Sequence, residues 1–326
     1  MAKSVAATHK LLPGPIELAK EAWEIYKKRV FTVLGIGVVQ FLLSFLILLV
    51  GVVLGVILFF VLGGKPEMPI FIVGGVLVLL VTAAIIYLSV WFLPAYPIAY
   101  RDWQKTSGLM EIIKSSRTYM RATFLTGLLS SVLVLGASLV FVIPGIAFRV
   151  FFMFWIFVML IDNRTGLSAL HTSREYVRGR FWGVVGRVIA VHLPEFVLSI
   201  LISSTVSDSM QSGGGFGMQL VSLALLPFYG AYMYTLFVHL KKTRGEVPAH
   251  VPDESKRKYF LVAALGYVLL LLGIFFVVPR ITPLLTDAVN QFTKSSAASK
   301  YPAEYDQIQQ VSPSYQNVSP SGASEI

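Results

Sequence analysis

Ser173-Arg-Glu-Tyr176-Val-Arg178-Gly-Arg-Phe181 is the third occurrence of one nine-residue frame, and each occurrence stands at the start of a long apolar run. Trp23-Glu-Ile-Tyr26-Lys-Lys28-Arg-Val-Phe31 and Ser116-Arg-Thr-Tyr119-Met-Arg121-Ala-Thr-Phe124 share its Tyr-x-basic-x-x-Phe core. Such a frame suits a short amphipathic helix on a membrane surface. Its tyrosine sits at headgroup depth, its cation among phosphates, and its phenylalanine where hydrocarbon begins. Tyr26 with Lys28, Tyr119 with Arg121, and Tyr176 with Arg178 are therefore the predicted headgroup contacts. Each frame is read as launching one transmembrane hairpin. Aromatic and basic residues also gather at any membrane boundary, so boundary chemistry alone is the competing account of the recurrence.

Composition supports the membrane reading. Of 326 residues, 56% are hydrophobic and 13% charged, and the mean hydropathy is +0.73. A soluble domain has no way to bury that much apolar surface, whereas a polytopic membrane protein does not need to. The net charge of +10 would suggest nucleic acid in a soluble chain. Here the cations lie between the apolar runs, where anionic headgroups and topology account for them, and no nucleic-acid partner is expected. The chain has no cysteine, which excludes disulfides, thiolate catalysis and cysteine-based metal sites.

Taken in order, the spacing Ile16, Ala19, Trp23, Tyr26, Val30 marks one face of a helix, predicted as an interfacial helix over about 15–29. Val30 to Leu62 is a first span, too long for the apolar region of a signal peptide. Gly63 to Glu67 is a turn. Met68 to Tyr100 returns, with Leu93-Pro94-Ala-Tyr96-Pro97 expected to kink or unwind its last turns. A second interfacial helix is predicted over about 107–121. Forty residues follow, Ala122 to Ile161, whose only Lys, Arg, Asp or Glu is Arg149; at 1.5 Å per residue they measure about 60 Å, and Pro144-Gly145 divides them into a hairpin. The third interfacial helix spans about 164–180. Phe181 to Ser203 is the weakest span, interrupted by Arg187, His192, Pro194 and Glu195. Asp208 to Gly217 reads as a flexible loop, and Phe216 to Leu240 as a sixth span in which Leu226-Pro227-Phe-Tyr229 repeats the Leu-Pro-x-Tyr of the second.

Residues 1–245 thus form an all-α, six-span domain of three interfacial-helix-plus-hairpin units, predicted as parallel repeats about an axis normal to the membrane. A basic loop and a seventh span occupy 246–282, and a polar, largely disordered tail 283–326. Twenty-one of the 27 Lys and Arg fall before the first span, in 101–121, in 164–180 and in 241–258. That places the N-terminus in the cytoplasm and the tail outside, in the cytoplasmic membrane.

Chemistry-bearing motifs are scarce. Gly213-Gly-Gly-Phe-Gly217 lacks the Lys-Ser/Thr of a phosphate loop and reads as a hairpin tip. His9, His171, His192, His239 and His250 show no metal-ligand spacing, so no metal or cofactor is expected. No nucleophile elbow or paired carboxylate lies in an apolar run, so an enzyme is not expected. Arg149 and Glu195 are the informative charges. A lone ion near the bilayer centre costs about 2.5–3.5 kcal/mol, so the two are expected to pair and lock the second hairpin to the third. The alternative is a gated polar path shared with His192.

The run Val142-Ile-Pro144-Gly145-Ile-Ala-Phe-Arg149-Val-Phe-Phe, the acidic corner at Asp162, and Ala169-Leu170-His-Thr-Ser173-Arg-Glu-Tyr176-Val-Arg178-Gly179-Arg-Phe181-Trp182 resemble the bacterial membrane-domain family named after glycerophosphodiester phosphodiesterases, with its related uncharacterised multi-pass proteins. The resemblance covers about residues 12–245 and implies a six-helix domain. Where that family carries a soluble phosphodiesterase barrel, this chain has a seventh span and a short tail, so the phosphodiesterase activity does not carry over. The expected function is a non-catalytic membrane scaffold that contacts lipids, including anionic headgroups, or a membrane-protein partner. The alternative is a transporter or channel-like protein with a polar path near Arg149, His192 and Glu195.

Overall fold

The structure is a computed structural model that describes residues 12–62, 68–205, 211–248, 250–277, 280 and 282–283. The turn expected at 63–67 and the polar tail lie outside these residues. The described chain is all-helical, with no strand, and holds seven helices long and apolar enough to cross a membrane. It is a multi-pass membrane bundle.

α1 (Pro15–Val61) starts where Gly14 and Pro15 make a helix N-terminus. Proline at the first position loses no needed donor, and the Glu17 carboxylate accepts the Gly14 N–H at 3.1 Å. The helix then runs 47 residues without a break, about 70 Å, so the predicted interfacial segment 15–29 is not separate from the first span. Its buried stripe is Leu18, Ala22, Ile25, Arg29, Val33 and Ile36, at steps of three or four. On the predicted interfacial face Ile16 and Trp23 are exposed. α9 (Gln211–Arg244) is the main partner of α1, and its Phe228 meets the rings of Trp23 and Tyr26 at 6.2 and 6.0 Å. His239 of α9 meets Glu21 of α1 at 2.8 Å.

α2 (Met68–Phe92) returns and stops at Leu93-Pro94, as the proline required, and α3 (Ala95–Arg101) resumes as a seven-residue helix. α4 (Leu109–Val140) again carries frame and span in one continuous helix. The hairpin breaks at Phe141, just before the expected Pro144-Gly145. Pro144 instead occupies the first turn of α5 (Val142–Phe152), where it costs no hydrogen bond. α5 gives way at Met153-Phe154 to α6 (Trp155–Ile161). α7 (Gly166–Val177) is the one frame helix that separates from its span, because Gly179 takes φ +81° and turns the chain into α8 (Phe181–Thr205). α9 includes the glycine-rich 211–217, expected to be a loop. Those residues form the first turns of the helix, ahead of the apolar span that begins at Val221. α10 (Asp253–Leu272) is the seventh span. Residues from Gly266 form a second compact unit, whose described part includes the end of α10 and one π-helical turn, Gly273–Val277.

Burial in the first unit is one-sided. Phe157, Val158, Met159 and Leu160 of α6, Ile98 and Tyr100 of α3, Tyr176 of α7 and Phe237 of α9 are all core residues. All lie near the end of the bundle that carries Arg101, Arg164, Arg174 and Lys241, here termed the basic end. Away from it α1 is open: beyond Val38 its only buried residue is Gly51, which lets Val81 of α2 approach.

Candidate functional site

Two intramembrane polar pairs are built on the recurring Leu-Pro-x-Tyr. In the first, Pro94 ends α2 and Tyr96, the second residue of α3, donates its hydroxyl to Gln40 Oε1 of α1 at 3.0 Å. In the second, Pro227 lies inside α9 and leaves the Leu223 carbonyl without its helical donor. Tyr229 donates to Glu195 Oε2 of α8 at 2.7 Å, and Ser222 donates to Oε1. His192 Nδ1 stands 3.9 Å from the same carboxylate, and its ring lies 4.3 Å from that of Tyr229. Pro194, beside Glu195, interrupts α8 in turn. The sequence marks both motifs; what it does not show is that each tyrosine bonds an amide or carboxylate on the preceding helix of its own hairpin.

Arg149 does not join this cluster, which corrects the expected Arg149–Glu195 pair. On α5, Phe151 meets Phe181 of α8 with ring centroids 5.2 Å apart. Arg149 is two residues away, about 200° around the helix, and shares the exposed stripe of Val142 and Ile146. α8 also packs mainly on α9 and only lightly on α5, so Glu195 is satisfied by hydroxyls from α9. Among the described residues Glu195 and His192 come together, and Arg149 stands apart from both. The expected result is therefore coupling between Glu195 and Tyr229 in a double-mutant cycle. Glu195→Ala and Tyr229→Phe together should lower the thermal midpoint by clearly less than their sum, a coupling of about 1 kcal/mol. Glu195→Ala with Arg149→Ala should add within about 0.5 kcal/mol. The reverse pattern would restore the Arg149 pair.

An apolar cavity of about 570 Å³ lies between α1 and α9, walled by Val33, Gly37, Phe41, Leu223 and Pro227, with Gln40 and Tyr96 supplying polar groups. A smaller one of about 290 Å³, bordered by Ile86, Val90 and Leu93, shares Gln40 and Tyr96. Thus the Gln40–Tyr96 hydrogen bond stands between two apolar crevices.

The predicted headgroup residues divide. Lys28, Arg121 and Arg178 are exposed, and the Lys28 ammonium lies over the Trp103 ring at 4.7 Å. Tyr26 stacks on Trp23 at 5.0 Å and donates to the Ala224 carbonyl at 3.4 Å. Tyr119 is half-buried. Tyr176 departs from expectation: it is 2% exposed and donates to Asp162 Oδ2 at 2.9 Å. Burial and then that bond raise its pKa above the ordinary phenol value. It is a core residue because α7 separates from its span and turns inward.

Around Tyr176 runs a polar network. Lys241 of α9 pairs with Asp162. Glu175 meets Arg174, Arg178 and Arg244 at 3.5, 3.4 and 3.3 Å. Arg164 donates to Thr172 at 2.7 Å and to the carbonyls of Val247 at 2.5 Å and Pro248 at 3.1 Å. At the other side Asp102 is squeezed by burial, which raises its pKa, but bonds from Arg101 at 2.9 Å and Lys105 at 3.0 Å prevail and hold it below the usual carboxylate value. Among the described residues no three His, Asp or Glu side chains converge to hold a metal.

No protein family, characterised protein or solved structure was found to match the chain, so the resemblance read from Pro144-Gly145 and Arg178-Gly179-Arg-Phe181 rests on those residues alone.

Proposed function

We propose that the protein is a non-catalytic module of the cytoplasmic membrane that holds a lipid acyl chain in the cavity between α1 and α9. The observation that carries this reading is the nature of the walls. Val38, Phe41, Leu223 and Leu226 line the cavity and are themselves 52–67% exposed, so it opens sideways onto the surface where lipid tails lie. An apolar cleft with few polar groups is the usual form of a small-ligand site, and here Gln40 and Tyr96 already satisfy one another. The basic end faces the cytoplasm in this reading, by the distribution of Lys and Arg. The resemblance to multi-pass membrane domains agrees with a role outside catalysis.

The three-unit organisation belongs to the same proposal. α3 and α6 are both seven-residue helices that follow a break in the second helix of a hairpin, and each is capped by an aspartate, Asp102 or Asp162. Those aspartates stand eight residues after Pro94 and Phe154. Pro227 marks the corresponding place in α9.

Gly37→Phe tests the lipid reading. A Cβ at Gly37 meets only the Tyr96 hydroxyl, at 3.7 Å, so the larger side chain fills the cavity instead of the core. Native mass spectrometry of the detergent-extracted protein should find lipid retained by the wild type and at least about tenfold less by the variant, a difference of about 1.4 kcal/mol. Equal retention sinks the reading.

Glu195 supports a second reading. A carboxylate beside two proline-interrupted helices is a common arrangement in secondary transporters. Uptake or efflux of a solute by reconstituted vesicles, abolished by Glu195→Gln without loss of thermal stability, would favour that reading over the lipid module.

A further inference from the structure

We propose that a second cavity, at the basic end, binds a phosphate-bearing ligand. It measures about 480 Å³ and is enclosed by α7, the end of α9, the segment after it and the first turn of α10. Arg178, Arg244, His171, His250, Ser255, Glu175 and Glu246 line it. This inference does not depend on the acyl-chain reading, which concerns other residues.

The arginines are under-used. Glu175 is the one carboxylate that Arg174, Arg178 and Arg244 share, at 3.3–3.5 Å. A guanidinium has five N–H donors, and the side chains of Arg178 and Arg244 remain 63% and 43% exposed. Two forks converging on one cavity can grip a tetrahedral oxyanion in bidentate fashion, a geometry a compact ammonium does not offer.

Among the lining residues Arg178 and Arg244 balance Glu175 and Glu246, and Arg174 adds a third cation to Glu175 from outside the lining. The acids opening α10 are engaged elsewhere, Asp253 with Lys256 at 2.7 Å and Glu254 with Lys258 at 2.5 Å. α10 is 20 residues long, and its positive dipole end, with Ser255, borders the cavity. The wall is fixed in place, since Arg164 holds the carbonyls of Val247 and Pro248, and His171, 7% exposed, meets Tyr259 at 3.1 Å. The phosphate can belong to a lipid headgroup or to a soluble ester, since the recognising chemistry is the same.

The test uses the full-length protein in phosphate-free detergent, titrated separately with phosphatidic acid, with diacylglycerol of the same tails, and with inorganic phosphate, while the thermal midpoint is followed. Phosphatidic acid should raise the midpoint and diacylglycerol should not. Arg178→Gln with Arg244→Gln should raise the concentration for half the effect at least about tenfold. Ser255→Asp should do the same while leaving every partner of Glu175 in place, which covers the case in which the double variant fails to fold. Lys27→Gln with Lys114→Gln removes equal charge outside the cavity and should leave the response intact. A response to inorganic phosphate as strong as to phosphatidic acid assigns the site to a soluble ester, and a response to phosphatidic acid alone assigns it to a headgroup. No response to either phosphate probe, an equal response to diacylglycerol, or an undiminished response in both cavity variants overturns the proposal.

Discussion

Replacing Arg29 by alanine should cost about 3 kcal/mol or more and lower the thermal midpoint by roughly 5–10 °C. Arg29 is 5% exposed, in the middle of the stripe by which α1 packs. Its guanidinium donates to the carbonyl of Asp102 at 2.5 Å, to that of Ser107 at 3.1 Å and to that of Lys105. All three carbonyls belong to the connection between α3 and α4, so one side chain supplies donors to a whole turn. Each buried carbonyl left without a donor costs about 1–3 kcal/mol, though the three will not add in full. Arg29→Lys keeps the charge but cannot reach three acceptors with one ammonium, and should lose roughly half as much. Lys27→Ala, two residues away and exposed, should be near neutral, because its pairing with Glu24 at 2.8 Å lies in solvent. Thermal unfolding of the three variants checks the order; equal losses for Arg29→Ala and Lys27→Ala would rule out this role for the buried guanidinium.

Gly136→Ala is expected to destabilise by about 1–3 kcal/mol, a large effect for a single methyl. A Cβ there would stand 2.6 Å from the Ala263 Cα and 2.7 Å from its carbonyl oxygen. Backbone cannot rotate away, so α4 and α10 must separate, and close approach through small residues is what holds such helices together. Gly51→Ala is the control. Its Cβ would meet Val81 at 2.5 Å, but the obstacle is a side-chain methyl that can turn, so the loss should be under about 1 kcal/mol. Equal midpoints for the two variants would show that backbone contact does not decide the cost.

The sequence shows where the spans begin and end better than it shows what they touch. Runs of apolar residues reveal length, and Pro94 reveals the break before α3, because both are local properties of the chain. Arg29 reads as one more boundary cation, since its burial depends on a turn more than seventy residues away. The Arg149–Glu195 expectation followed from depth and charge alone. Whether two side chains meet also depends on the angle around each helix, and Phe151, not Arg149, faces α8. Glu195 reads as costly without a partner, and the hydroxyls of Ser222 and Tyr229 suffice as its donors. Tyr176 reads as a headgroup contact because the frame looks alike in all three copies. Only Gly179 separates the third frame from its span, and a single glycine is a weak signal for so large a change of surroundings.

The pairing of α1 with α9 has a consequence for how the chain is made. Glu21 and His239 are 218 residues apart in sequence. At a synthesis rate of about 5–20 residues per second, α1 waits roughly 10–40 s in the membrane before its partner emerges. For that interval the stripe from Leu18 to Ile36 lacks its main partner, and Arg29 has no turn to bind until Ser107 has been made. Docking of α9 is therefore a late step of assembly, after the turn that Arg29 holds has been made.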